Sequence, residues 1–183
     1  SVTPLHCLLQ EKKIDLHLEL PIDQMQCRFN AQALRQLVSN LVKNAAVHSG
    51  GANIWVSLAK LSTEGSLVNL ELRVEDDGRG IPSSQVNKLF EAYSRGETEA
   101  DGTGLGLFIC SELAIALSGQ IRYEQSSHGG AAFVISMSVD ACDAALNESS
   151  ATDEKAARTS LAGKRILFAE DDKILQMLTS NIL

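Results

Sequence analysis

The chain has 183 residues, 44% of them apolar and 21% charged, with a formal net charge of −7. That composition belongs to a globular protein with room for one ordinary domain and a fragment of another. It excludes a general nucleic-acid footprint, and no apolar run reaches the roughly 20 residues that span a bilayer. No basic stretch leading into an apolar run marks a signal peptide at the N-terminus. Cys7, Cys27, Cys110 and Cys142 are far apart with no Cys-x-x-Cys spacing, so neither a zinc site nor a disulfide framework is expected. They read as ordinary thiols in a reducing, cytosolic setting.

Ile14, Leu16, Leu18 and Leu20 alternate with polar residues and predict a half-buried strand closed by Pro21. Asn30 is an N-cap for a helix running to about His48, with Gly50 and Gly51 as its stop. Ile54, Val56 and Leu58 alternate, as do Val68, Leu70, Leu72 and Val74, and the polar residues 62–66 join these strands as a hairpin. Residues 83–93 are expected to be helical and 95–101 to form a polar loop. A helix over 105–117 stops at Ser118-Gly119, and strands near 121–124 and 132–137 flank a turn at 126–130. Residues 141–163 hold only Leu146 and Leu161 as large aliphatics and read as a linker. A short apolar run, Ile166-Leu167-Phe168-Ala169, then meets the acidic Glu170-Asp171-Asp172 before a helical pattern ends the chain.

Three glycine- or amide-bearing segments carry the chemistry. On the first long helix, Leu34, Leu37, Val38, Leu41 and Ala45 form one apolar stripe, with Asn40 and Asn44 together on its flank. Alone, the pair reads as surface amides, although an Asn carbonyl is also a hard oxygen suited to Mg²⁺. Asp76 ends an apolar strand just before Gly78-Arg79-Gly80, which alone is a turn. In the same geometry, the glycines would let backbone pass close to a flat ligand, and the carboxylate could accept from an amino group such as that of adenine. Gly102-Thr103-Gly104-Leu105-Gly106 leads into an apolar helix, an arrangement that favours phosphate but lacks the spacing of a Walker or dinucleotide fingerprint.

In order and local wording these segments resemble the N, first glycine, F and second glycine boxes of the ATP-binding catalytic domain of sensor histidine kinases. Val74-x-Asp76-x-Gly78-x-Gly80-Ile81-Pro82 is similar to the first glycine box, Leu89-Phe90-Glu91-Ala92-Tyr93-x-Arg95 to the F box, and Gly102–Leu107 to the second glycine box. The similarity covers about residues 8–138, within a superfamily shared with gyrase, Hsp90 and MutL. It implies an α/β two-layer sandwich of the Bergerat type, a mixed and largely antiparallel sheet covered by helices on one face.

The resemblance also implies roles. Asn44 would hold Mg²⁺, with Asn40 the polar residue one turn before it. Asp76 would read the adenine amino group, with Gly78, Gly80 and Ile81 shaping that pocket. Gly102, Thr103, Gly104, Leu105 and Gly106 would approach the phosphates, Arg95 would contact them, and His48 would lie beside adenine or cap its helix. The hydrolytic relatives place a Glu where this chain has Asn40. An amide cannot take a proton, so transfer of the γ-phosphoryl is implied instead of hydrolysis.

The chain departs from the family pattern at Val47, where Lys or Arg is usual, and at Ala131, where Ser or Thr is frequent. It also has an acidic lid with Glu97, Glu99 and Asp101. These departures support a second reading, a non-catalytic docking module with weak or no ATP binding.

Residues 164–183 resemble the start of a response-regulator receiver domain, with Glu170 and Asp171 as its Mg²⁺-binding acidic pair. The organisation implied is a dimerisation-helix tail over 1–13, the ATP-binding domain over 14–140, a linker over 141–163 and a receiver start over 164–183. Partners would be a histidine-bearing dimerisation domain, a receiver domain and a downstream response regulator or phosphotransfer protein, with no nucleic acid. The location would be cytoplasmic, in a parent protein anchored in or free of the inner membrane.

Overall fold

The computed structural model describes residues 5–20, 27–92 and 105–141. The lid with Arg95, the glycines Gly102 and Gly104, Thr103, the linker and the receiver start with Glu170 and Asp171 lie outside the described residues.

The elements follow in the order α1 (Leu5–Lys12), β1 (Asp15–Glu19), β2 (Cys27–Arg28), α2 (Ala31–His48), β3 (Asn53–Glu64), β4 (Leu67–Asp76), α3 (Ser83–Val86), α4 (Gly106–Ala116), β5 (Gly119–Gln125) and β6 (Ala131–Ala141). Six strands form one sheet in the order β1-β3-β4-β6-β2, with β5 also paired to β6. β1 runs parallel to β3, and every other pairing is antiparallel. The α/β sandwich with a mixed, largely antiparallel sheet is therefore observed.

Alternation decides which side faces the helices. Val68, Leu70, Leu72 and Val74 of β4 are buried, and their β6 partners Val139, Met137, Ile135 and Phe133 are buried with them. Ile54, Val56 and Leu58 of β3 join the same face. Leu37, Leu41 and Val42 of α2 are completely buried against it. Asn30 caps α2 as expected, its side chain accepting from the Ala33 N–H at 3.0 Å, a contribution of about 1 kcal/mol.

The opposite face of the sheet carries a charged cluster. Arg73 and Arg122 bridge Glu71, Glu75 and Glu124 there at 2.8–3.5 Å. Such half-exposed pairs individually add only about 0–1 kcal/mol.

Two expectations change. The hairpin strands run on to Glu64 and restart at Leu67, so only Gly65, at φ +62°, and Ser66 make the turn. The expected helix over 83–93 is helical only at Ser83–Val86. Beyond it the N–H groups of Lys88, Leu89 and Glu91 bond three residues back, a chain of tight turns. Ser and Asn are weak helix formers, and no residue of Ser83–Val86 is buried to anchor a longer helix.

Candidate functional site

Asp76 is the last residue of β4 and is only 3% exposed. Its Oδ1 accepts from the Gly78 N–H at 2.9 Å and from the Ala131 N–H at 3.2 Å. No hydrogen bond among the described residues uses Oδ2. Burial pushes its pKa up; the Gly78 and Ala131 amides pull it down and the Asp77 charge adds a further push, with the net direction upward. A buried carboxylate held by one oxygen, with the other unused, is equipped to accept from a ligand donor.

Asp77 turns the other way. Its Oδ1 accepts from the Ala52 and Asn53 N–H groups, both at 2.9 Å, and its Oδ2 from Asn53 Nδ2 at 2.8 Å. Burial alone would raise its pKa, but these donors outweigh it and the net shift is downward. The loop after α2 is thereby fastened to the segment after β4. Arg79 tightens the same joint, its N–H donating to the Ser49 carbonyl at 3.1 Å and its guanidinium to that of His48 at 3.2 Å.

The two glycines of this segment meet different neighbours. A Cβ on Gly78 would strike the Ser49 carbonyl, so Gly78 permits close packing against the end of α2. Gly80 has φ +68°, a backbone conformation suited to glycine, and faces the Gly130 carbonyl. Ile81 is half-buried against the core, and its N–H points to the Tyr123 hydroxyl at 3.4 Å.

Asn40 and Asn44 are half-buried on α2, facing α4. A Cβ on Gly106 would lie 3.4 Å from Asn44 Oδ1, so the amide sits at the glycine start of α4, next to the half-buried Leu105. One turn earlier in α2 and one turn later in α4, the Asn40 side chain meets the fully buried Cys110 thiol. Burial pushes that thiol up to about 12, against a smaller pull from Asn40. The α2 amides and the start of α4 are thus brought together. His48 ends α2 with an exposed side chain, and its pKa is lowered by partial burial and by the charges of Arg79 and Lys12.

A family model described as histidine kinase-, DNA gyrase B- and HSP90-like ATPase matches residues 29–141, more than half of the chain. The chain belongs to this ATPase family. The sensor protein kinase PilS of Pseudomonas aeruginosa is 40% identical over 124 residues, 66% of this chain and 22% of PilS. The signal transduction histidine-protein kinase BarA of Escherichia coli is 29% identical over 154 residues, 82% of this chain and 16% of BarA. The chain thus spans less than a quarter of the length of these curated relatives. Among solved structures, full-length ShkA in complex with AMPPNP aligns with a TM-score of 0.60 at 22% identity, over 79% of this chain and 32% of ShkA. The mycobacterial sensor histidine kinase MprB aligns with a TM-score of 0.57 at 21% identity, over 76% of this chain and 97% of that one. These two likenesses are of fold.

Within this ATPase domain nothing in the sequence pattern marked Gly130, which closes on Asp76 from the turn before β6. A Cβ on Gly130 would collide with the Asp76 carboxylate and with the Gly78 N–H, so only glycine fits. Ala131 lacks the hydroxyl frequent at its position but supplies its backbone N–H to Asp76 instead. Phe90 packs edge-on to Phe133 at 6.4 Å, and Tyr123 meets the same ring at 6.1 Å, which ties the F-box phenylalanine to the core.

Proposed function

We propose that this domain binds Mg-ATP and, within a hybrid sensor kinase, gives the γ-phosphoryl to a histidine on a separate dimerisation domain. The observation that carries the reading is Asp76, a nearly buried carboxylate with one oxygen fixed by two backbone amides and the other unused among the described residues. Adenine presents a matching amino group. Gly80 and the half-buried Ile81 lie beside it as a pocket wall.

The phosphate end would form where Asn44 meets Gly106. Gly106 leaves room for close approach, and the N-terminus of the 11-residue α4 favours anionic oxygens. Arg95, Gly102, Thr103 and Gly104 would complete it. The donor set suits Mg²⁺, which is usually held by few protein groups together with phosphates, and Asn44 offers one neutral hard oxygen. When bound, the ion neutralises charge on the phosphates.

Transfer is favoured over hydrolysis by what surrounds Asn40. An amide and a thiol pushed up to about 12 are both unable to take a proton from water at neutral pH. The acceptor histidine would come from the dimerisation helices. On α4, Ile109 and Ile115 are 36% and 65% exposed and offer those helices an apolar contact. Glu170 and Asp171 would serve a receiver domain of the same parent protein, and a response regulator or phosphotransfer protein would act downstream. Among the described residues, no helix is long and apolar enough to cross a membrane. The domain would work on the cytoplasmic side, where ATP is supplied.

Calorimetry with Mg-ATP tests the reading. Heat is expected with the wild-type chain and clearly weaker binding with Asp76→Asn; no heat in the wild type would sink it. The chain by itself should not become phosphorylated, so base-stable radiolabelled phosphate on it would contradict the need for a separate acceptor domain. Val47, 40% exposed where a cation is usual, favours the second reading of a docking module, and absence of heat would select that one.

A further inference from the structure

The outer face of the sheet carries an aromatic cluster that nucleotide binding does not use. The His128 ring stacks on Trp55 with centroids 3.6 Å apart and planes 7° apart, and the His17 ring lies on Trp55 at 5.2 Å and 17°. Register explains the placement. His17 of β1 pairs with Trp55 of β3, and both sit opposite the face that carries the buried Ile54 and Val56. His128 arrives from the turn between β5 and β6, reaching across the end of β4.

Both ends of the cluster lead to Asp76. At one end, His17 Nε2 lies 3.0 Å from Asn53 Oδ1, and Asn53 Nδ2 donates to Asp77 Oδ2, next to Asp76 in the chain. At the other, His128 belongs to the turn that continues into Gly130, which closes on Asp76 and Gly78, and into Ala131, which donates to Asp76 Oδ1. The turn's own bonds, from His128 N–H to Ser126 Oγ at 3.0 Å and from Gly129 N–H to the Ser126 carbonyl at 3.1 Å, fix its shape. They do not fix its position relative to β3, two strands away. The β3–β4–β6 ladder sets that position as far as Ala132, and the ring contact with Trp55 is the direct tie of the turn itself to β3. Both histidines are exposed, so the stack adds little to the core and acts mainly on the segments it joins.

We infer that the His17–Trp55–His128 stack is a positioning device that holds, from the outer face, the two backbone segments gripping the Asp76 carboxylate, and thereby sets how tightly the site takes an adenine nucleotide. The effect on nucleotide rests on the proposed ATP reading; the effect on the segments does not.

Single-amide hydrogen exchange on the full chain, with His128→Ala and His128→Phe, tests both parts. In His128→Ala the Gly78 and Ala131 amides should exchange faster, while core β4 amides such as that of Leu72 keep their protection. His128→Phe, which keeps a ring on Trp55, should restore the slow rates. The Mg-ATP Kd should weaken roughly twofold to tenfold in His128→Ala, the scale of one lost aromatic pair, and recover in His128→Phe. Trp55 is the single tryptophan of the chain, so its emission should respond to Mg-ATP in the wild type and not in His128→Ala. Unchanged exchange at Gly78 and Ala131 overturns the positioning role, whatever ATP does. Faster exchange with an unchanged Kd overturns its bearing on nucleotide. Faster exchange in the variant, with a wild type that binds no ATP, upholds the positioning and removes the ATP reading instead.

Discussion

Replacing Asp76 with Asn separates what this carboxylate does for the fold from what it does for a ligand. The side chain is 3% exposed, and burial is the largest influence on its pKa, followed by the opposing amides of Gly78 and Ala131 and the added push of Asp77. The net shift is upward, so the folded protein keeps the proton to higher pH than the unfolded chain does. Folding is therefore penalised as pH rises from the unfolded carboxylate value through the raised one, and the penalty is complete above it. Asn keeps an Oδ1 acceptor for both amides and carries no charge. Asp76→Asn should be at least as stable as wild type at neutral pH. That advantage should fade on acidification by no more than ~1.4 kcal/mol per pH unit, the limit for one proton. Nucleotide binding should move oppositely. A hydrogen bond to a charged acceptor contributes about 1.5–3 kcal/mol, so the Mg-ATP Kd should weaken roughly 10- to 150-fold. Urea denaturation from mildly acidic to neutral pH, alongside calorimetry, measures both. A variant less stable than wild type at neutral pH by more than ~1 kcal/mol would refute the assignment of the shift to burial.

Gly130→Ala places a methyl group against the Asp76 carboxylate and the Gly78 N–H, both held by backbone. It should cost about 1–3 kcal/mol in urea denaturation and remove Mg-ATP binding together; wild-type affinity in this variant would contradict the close approach. Leu41 is completely buried in the apolar stripe of α2, so Leu41→Ala should lower stability by about 2–5 kcal/mol, seen as a lower urea midpoint at unchanged slope. Cys110 is fully buried with its thiol pushed up to about 12, whereas Cys7 is half-buried. Brief alkylation at neutral pH followed by peptide mapping should leave Cys110 unmodified until the protein unfolds. Rapid native labelling there would show that the α2–α4 contact opens.

Much of the fold could be read from local pattern. α2 follows from the Asn30 cap, the apolar spacing of Leu34, Leu37, Val38 and Leu41, and a stop at Gly50, whose φ is +72°. β2 could not be read in this way. Cys27 and Arg28 form a strand only because Ala141 and Asp140 offer a partner edge, and nothing in their immediate neighbours encodes that. The site divides similarly. Asp76 and its glycines form a recognisable string, whereas the role of Gly78 is set by the Ser49 carbonyl at the end of another element. Asp77, His128 and Gly130 acquire their roles through contacts with residues distant in sequence, so spacing along the chain carries no mark of them, while Ala131 is marked only as a departure from the family pattern.

The direction of Asp76 is itself a consequence of strand register. Val68, Leu70, Leu72 and Val74 point to the helical face and meet Val139, Met137, Ile135 and Phe133 across the ladder to β6. A slip of one residue would turn Asn69, Glu71, Arg73 and Glu75 into that core and expel the apolar set, so the pairing is strongly specified. Continuing the same alternation by one step puts Asp76 inward and leaves Asp77 free to reach the loop after α2. The ladder between β4 and β6 ends at Glu75 and Ala132. Just past that end, the Ala131 N–H gives its hydrogen bond to the Asp76 side chain. The carboxylate is therefore fixed by the apolar pairs that order the strand and by a donor available where the ladder stops. A shift in register would take away both.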